Sequence, residues 1–170
     1  MSTTIAGVGV ASAQDWAAHY ARRVEAFRAE NARLDPSRRY VVLVGDSLTE
    51  GWESGGRIGR FLPSLVDRVL GRGIASDGLG VGPRGLARRM DTSIYDARPS
   101  HVVLLMGIND IGRDGSGVAP AARVHERLVR EVRGRLPDVP LILVTLTPAR
   151  GGYAALNSGG GTLSGTSNTN

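Results

Sequence analysis

Apolar residues fall along this chain in two alternating rhythms. Four short runs are almost continuously apolar: Tyr40-Val41-Val42-Leu43-Val44, a weaker Val69-Leu70 leading into Arg72-Gly73-Ile74, His101-Val102-Val103-Leu104-Leu105-Met106, and Leu141-Ile142-Leu143-Val144. Runs without polar alternation predict strands covered on both faces, as in a parallel sheet. The stretches around them carry helical spacing. Residues 12–33 predict an amphipathic helix, with Trp16, Tyr20, Val24 and Phe27 on one face and capping-box spacing between Ser12 and Asp15. A stripe of this kind is core packing. Short helices are predicted near Leu48 and near Pro63, and another over 83–90, where Leu86 and Met90 stand four apart. A helix over 120–136 presents Val124, Leu128, Val132 and Leu136 as an i, i+4 ladder, closed by Pro137 and Pro140.

Strands alternating with helices imply βαβ units, hence an α/β fold with a mostly parallel sheet and helices on both faces. A length of 170 residues suits one domain. We place it at residues 1–157, with 1–35 as an N-terminal helical segment. Tyr153 to Asn157 has the look of a helix starting. From Ser158 to Asn170 the chain is uncharged and rich in Gly, Ser, Thr and Asn, which predicts a flexible tail. There is no internal repeat.

Composition changes this picture little. A net charge of +5 invites a nucleic-acid reading, but all 21 basic residues are arginine and they are spread along the chain among acids. Aromatic residues make up only 5%, so basic and aromatic positions do not interleave, and we expect no nucleic-acid partner. Arginine, glycine and alanine share GC-rich codons, which accounts for the bias. Without cysteine there is no disulfide framework, thiolate zinc site or cysteine nucleophile. No apolar run is long enough to span a membrane. Ile5 to Val10 followed by Ala11-Ser12-Ala13 lacks the basic n-region of a signal peptide, so a cytoplasmic location is favoured over secretion.

Candidate chemistry lies just past two strand ends. In open parallel sheets, ligands bind outside the carboxyl ends of the strands, at a topological switch point. Ser47 follows the first strand and Asn109 the third. A strand order of 2-1-3-4 would set these two residues across one crevice. A hydroxyl beside an amide donor suits acyl transfer, since one attacks a carbonyl and the other stabilises the oxyanion. A start of α-helix at Ser47 would add free backbone N–H groups. A dinucleotide site is not indicated, because Gly80-Val81-Gly82 lacks the third glycine at the required spacing.

The octapeptide Gly45-Asp46-Ser47-Leu48-Thr49-Glu50-Gly51-Trp52 resembles the first block of the GDSL/SGNH hydrolases. Gly107-Ile108-Asn109-Asp110 is similar to their Gly-x-Asn-Asp block, and Arg72-Gly73-Ile74-Ala75-Ser76-Asp77 to their middle block. The resemblance covers roughly residues 36–157 and implies a three-layer αβα sandwich of flavodoxin-like type. It implies Ser47 as nucleophile and oxyanion donor, Asn109 as a second donor, and the Ser76 backbone as a third. Ser76 stands where the family has glycine, and Gly71 where it has asparagine. Asp46, Gly107 and Asp110 are expected to support the loops. The substrate would be a small acyl ester, of a sugar or a lipid, or a thioester, and no cofactor is needed.

The family's closing aspartate–x–x–histidine block has no match. No histidine follows His125, and the last acidic residue is Asp138. His19, His101 and His125 are expected to be surface or packing residues. The fold is therefore expected to lack its last strand, leaving the fourth strand's edge uncovered and open to self-association. Three readings follow: a serine esterase completed by coding sequence elsewhere, a binding or scaffold protein that keeps the crevice without turnover, or a site whose base comes from a partner chain.

Overall fold

The computed structural model describes residues 13–54, 68–75, 78, 85–112 and 117–146. Helix α1 (Ala13–Asn31) leads to strand β1 (Tyr40–Gly45) and, after one residue, to helix α2 (Ser47–Ser54). Strand β2 (Arg68–Gly73) follows, then the short helix α3 (Met90–Ser93). Strand β3 (His101–Leu105), helix α4 (Ile108–Gly112), helix α5 (Val118–Arg135) and strand β4 (Leu141–Leu143) complete the described strands and α-helices. The helix expected near Pro63, the Ser12 cap and the tail over 158–170 lie outside the described residues.

The four strands form one sheet in the order β2-β1-β3-β4, and all three pairings are parallel. The fold is α/β, and the order puts β1 and β3 side by side. Gly45 at the end of β1 pairs with Gly73 of β2 and with Leu105 of β3, so the three strands finish nearly level. One face is thoroughly covered. Val42, Val44, Leu70, Val102 and Leu104 join Leu86, Met90 and Ile94 of the β2–β3 connection and Leu128 and Val132 of α5 in a single core. On the other face Val41, Leu43, Val103 and Leu105 are half-buried, so among the described residues coverage of the two faces is unequal.

Within the described part of the helix expected over 83–90, residues 85–90 depart from it. They form a 3₁₀ turn over Leu86–Arg88, broken at Arg89 (φ −127°, ψ 13°), before α3 begins. Leu86 and Met90 are both buried, as their spacing requires. Arg89 is buried as well, and its guanidinium turns inward to donate to the Arg72 carbonyl (2.9 Å), the Gly45 carbonyl (3.1 Å) and the Ser93 hydroxyl (2.8 Å). A regular helix through Arg89 would forgo these bonds.

Arginines also explain how α1 docks. Phe27 is 2% exposed, while Trp16, Tyr20 and Val24 of the same stripe are half-buried. The Phe27 ring has the guanidinium carbons of Arg23, Arg72 and Arg89 at 4.8, 4.9 and 6.0 Å from its centroid. Arg72 is wholly buried, bonded to Glu30, Asn31 and the Gly71 carbonyl. Burial pushes this guanidinium below its ordinary value, and Glu30 pulls it back. The flat cations stack on the ring face, where its quadrupole is attractive, and their edges reach carboxylates and carbonyls. Part of the arginine content read from the sequence as codon bias is therefore core structure.

At the other side of the sheet β4 is the edge strand among the described residues. Ile142, Leu143 and Val144 are between two-fifths and one-half exposed. A mostly apolar groove of about 520 Å³ runs between this edge and α5, bounded by Met106, Ile111, Ala121, His125 and Leu146.

Two stability outcomes are expected. Phe27→Ala should cost about 3–5 kcal/mol in urea unfolding, because it removes both a core ring and the surface on which three guanidiniums stack. His125, half-buried in the groove, is held below its ordinary histidine value by burial. As pH falls through about 6.5 the unfolded chain takes up this proton first, so stability should drop from pH 7 to pH 5.5, and His125→Gln should remove that share of the drop.

Candidate active site

The site is built on the step from β1 to α2. Asp46 is the single residue between them and caps the helix. Its carbonyl accepts the Glu50 N–H at 3.0 Å, and its buried carboxylate accepts the Leu48 N–H at 3.0 Å. The carboxylate thus satisfies one of the free N–H groups of the first turn and places negative charge at the positive end of the helix. Ser47 is the first helical residue and is exposed. Leu48 and Trp52, one turn apart on α2, are each 48% exposed beside it.

Close approach holds α2 on the sheet end. A Cβ on Gly73 would stand 2.1 Å from the Glu50 nitrogen and 2.8 Å from the Asp46 carbonyl. Only a residue without a side chain lets β2 end directly beneath the first turn of α2.

The opposite wall comes from β3. Gly107 has φ 123°, a conformation that L side chains rarely adopt, and its carbonyl accepts the Ile111 N–H at 3.1 Å. This turns the chain sharply from β3 into α4. Asn109 and Asp110 stand in the first turn of α4, both buried. Because β1 pairs with β3, the loops carrying Ser47 and Asn109 leave adjacent strand ends, and β2 and β3 flank β1 on opposite sides. That is the switch point of the sheet. Gly78, just past the middle block, comes next to the β3 wall. Gly78 lies against the Asp110 carboxylate, within 3.1 Å of its oxygens for an added Cβ, and its carbonyl accepts the Leu86 N–H at 3.0 Å. Ser76, the expected third donor, lies outside the described residues.

All three histidines are placed. His19 on α1 pairs with Glu50, Nε2 to Oε1 at 3.0 Å, and meets Trp16 edge to face. His101 begins β3, at the end of the sheet opposite Ser47, with Nδ1 3.1 Å from the Ser100 hydroxyl. His125 faces the groove beside β4, one strand further from β1 than β3 is. Among the described residues, no three of His, Asp and Glu gather as a metal site would require.

Glu50 is a site-forming residue that sequence reasoning passed over. It lies inside the octapeptide, and its carboxylate accepts the Ala75 N–H just beyond β2. An acid on the buried side of a helix, one turn past the candidate nucleophile, was the available signal.

Comparison with known proteins agrees with this architecture. A family model described as GDSL-like Lipase/Acylhydrolase matches residues 43–162. A Streptococcus pneumonia structure assigned as a platelet activating factor superposes with a TM-score of 0.62 at 22% identity, covering 79% of this chain and 58% of that one. A Bacteroides fragilis structure assigned as an acylhydrolase gives 0.53 at 24% identity, covering 74% and 58%. The chain thus spans 58% of the length of either structure. No curated protein sequence matches it. Among the described residues, no helix is long and apolar enough to cross a membrane.

Removal of the Asp46 cap tests the geometry of the β1–α2 step. Asp46→Ala should lower unfolding free energy by about 1–2 kcal/mol, while Asp46→Asn, which keeps an acceptor oxygen, should retain most of it, both read by chemical denaturation.

Proposed function

The chain belongs to the GDSL-like lipase/acylhydrolase family, and from that premise we propose that it is a serine ester hydrolase that acts through Ser47 on small acyl esters, such as acetyl or short-chain acyl groups of sugars or lipids. The observation that carries this reading is the placing of Ser47 and Asn109 at neighbouring strand ends of the switch point. Ser47 would attack the ester carbonyl. The Asn109 amide and the backbone N–H of Ser47, at the start of α2, would receive the negative charge that develops on the carbonyl oxygen. A backbone N–H from Ser76 would complete the set. The exposed Leu48 and Trp52 offer apolar surface for the acyl or alcohol part. Asp46 and Asp110 would act by holding the two loops.

The positions of the histidines favour a second reading. A serine hydroxyl is a weak nucleophile near neutral pH without a base to take its proton. His19 is engaged with Glu50, His101 is at the far end of the sheet, and His125 faces another groove. In a serine protease, loss of the base costs about 10⁶ in kcat, while the oxyanion hole retains about 10³–10⁴ over water. A chain working with only Ser47 and its donors would turn over slowly and serve as a binding protein for acyl esters.

Release of nitrophenolate from p-nitrophenyl acetate separates these readings. Turnover above buffer that vanishes in Ser47→Ala supports the hydrolase, and Asn109→Ala should then lower kcat by about 10²–10³. Equal background rates in the wild type and Ser47→Ala would overturn the hydrolase reading in favour of binding without turnover.

A further inference from the structure

Three elements meet on the carboxylate of Glu50. It accepts the Ala75 N–H, the second residue after β2. His19 Nε2 reaches its two oxygens at 3.0 and 3.1 Å, and Arg23 Nε approaches at 3.5 Å. Arg23 also donates to the Gly73 carbonyl through Nε (3.2 Å) and a terminal nitrogen (3.0 Å), and pairs with Glu53. Helix α1 thus supplies two cationic or hydrogen-bonding groups, α2 supplies the acid, and the chain leaving β2 supplies the N–H.

The need for this arrangement follows from where β2 ends. Ile74 still donates to a strand, through the Gly45 carbonyl at 3.3 Å. Ala75 is the first residue past that bond, and its N–H finds a carboxylate in place of a strand carbonyl. His19 and Arg23 orient the acid, Arg23 offsets its charge, and the absent side chain of Gly73 lets α2 come close enough for the carboxylate to reach Ala75.

We propose that Glu50 is a positioning residue: its bond to Ala75 fixes the chain leaving β2 against α2, and so fixes that chain relative to Ser47. The catalytic consequence rests on the reading of Ser47 as nucleophile, while the clamp itself does not. Glu50 acts through Ala75, so its loss should disturb the geometry in which the transition state is held more than the affinity for the ester.

Variants of the full chain separate reach from charge. Glu50→Gln keeps an oxygen at full reach and loses the charge. Glu50→Asp keeps the charge and falls one methylene short, and Glu50→Ala loses both. NMR-detected hydrogen exchange of the Ala75 amide should accelerate about tenfold in the Asp and Ala variants, the equivalent of one lost hydrogen bond, and stay near wild type in the Gln variant, with the Val44 amide as the unchanged sheet reference. Where wild-type turnover depends on Ser47, kcat should fall with KM unchanged in the Asp variant and be preserved in the Gln variant. Unchanged Ala75 exchange in Glu50→Asp, or acceleration of Val44 in step with Ala75, would overturn the proposal. A wild type without Ser47-dependent turnover would sink the nucleophile reading alone, and the exchange rates would still decide the role of Glu50.

Discussion

The crevice depends on how backbone carbonyls are satisfied where the strands stop. A parallel strand that ends inside the protein leaves carbonyls without ladder partners, and a buried carbonyl without a donor is costly. Here the Gly45 carbonyl takes the Ile74 N–H, and guanidinium groups add further donors. Arg89 serves Gly45 at the end of β1 and Arg72 near the end of β2, and Arg23 serves Gly73. A guanidinium carries five N–H donors in a rigid plane, so one side chain can bridge two strands. Phe27 supplies the flat surface on which these planes rest, and Glu30 and Glu53 offset their charge. This cluster ties together the ends of β1 and β2, two residues before Ser47 in the case of β1.

Asp46 and Asp110 are engaged in architecture. Asp46 is buried and gives its carboxylate to the first turn of α2, so it orients the helix that begins with Ser47. Asp110 is buried against Gly78, so it joins the β3 loop to the middle block. Glu50 joins the chain leaving β2 to α2. Asp110 and Glu50 thus each reach from one segment to another, while Asp46 acts within the β1–α2 step.

Much of this was legible in the sequence, for identifiable reasons. β1, β3 and β4 were readable because their apolar runs carry no polar alternation, β2 only weakly so because Arg72 interrupts it, and the placing of Ser47 and Asn109 at strand ends followed from the runs of β1 and β3. The order β2-β1-β3-β4 agrees with the expectation that made those residues neighbours. The helix over 83–90 was misread because the four-residue spacing of Leu86 and Met90 is satisfied equally by a 3₁₀ turn followed by a short helix, with Arg89 turned inward between them. Buried arginine was invisible because composition counts charge without location, although Arg72 in the interior of a strand is a position where charge requires a partner. Glu50 was missed because its partner is a backbone N–H, which has no residue-type signature. The Ser76 donor and the 158–170 tail lie outside the described residues.

The parallel register of β1 with β3 has a consequence for biosynthesis. The residues at the two walls of the crevice come from distant parts of the chain, and no local hairpin can bring them together. A chain emerging from the ribosome can form α1 and the β1–α2 step early, with Phe27 and its arginines in reach of β2. The Asn109 wall cannot exist until β3 has been released and has inserted beside β1. Until then the inner edge of β1, which becomes the middle of the finished sheet, is an open strand. Non-local parallel pairing of this kind is slow. The nascent protein must therefore keep its future centre exposed for longer than its periphery, and its yield in a cell should depend on what shelters β1 during that interval.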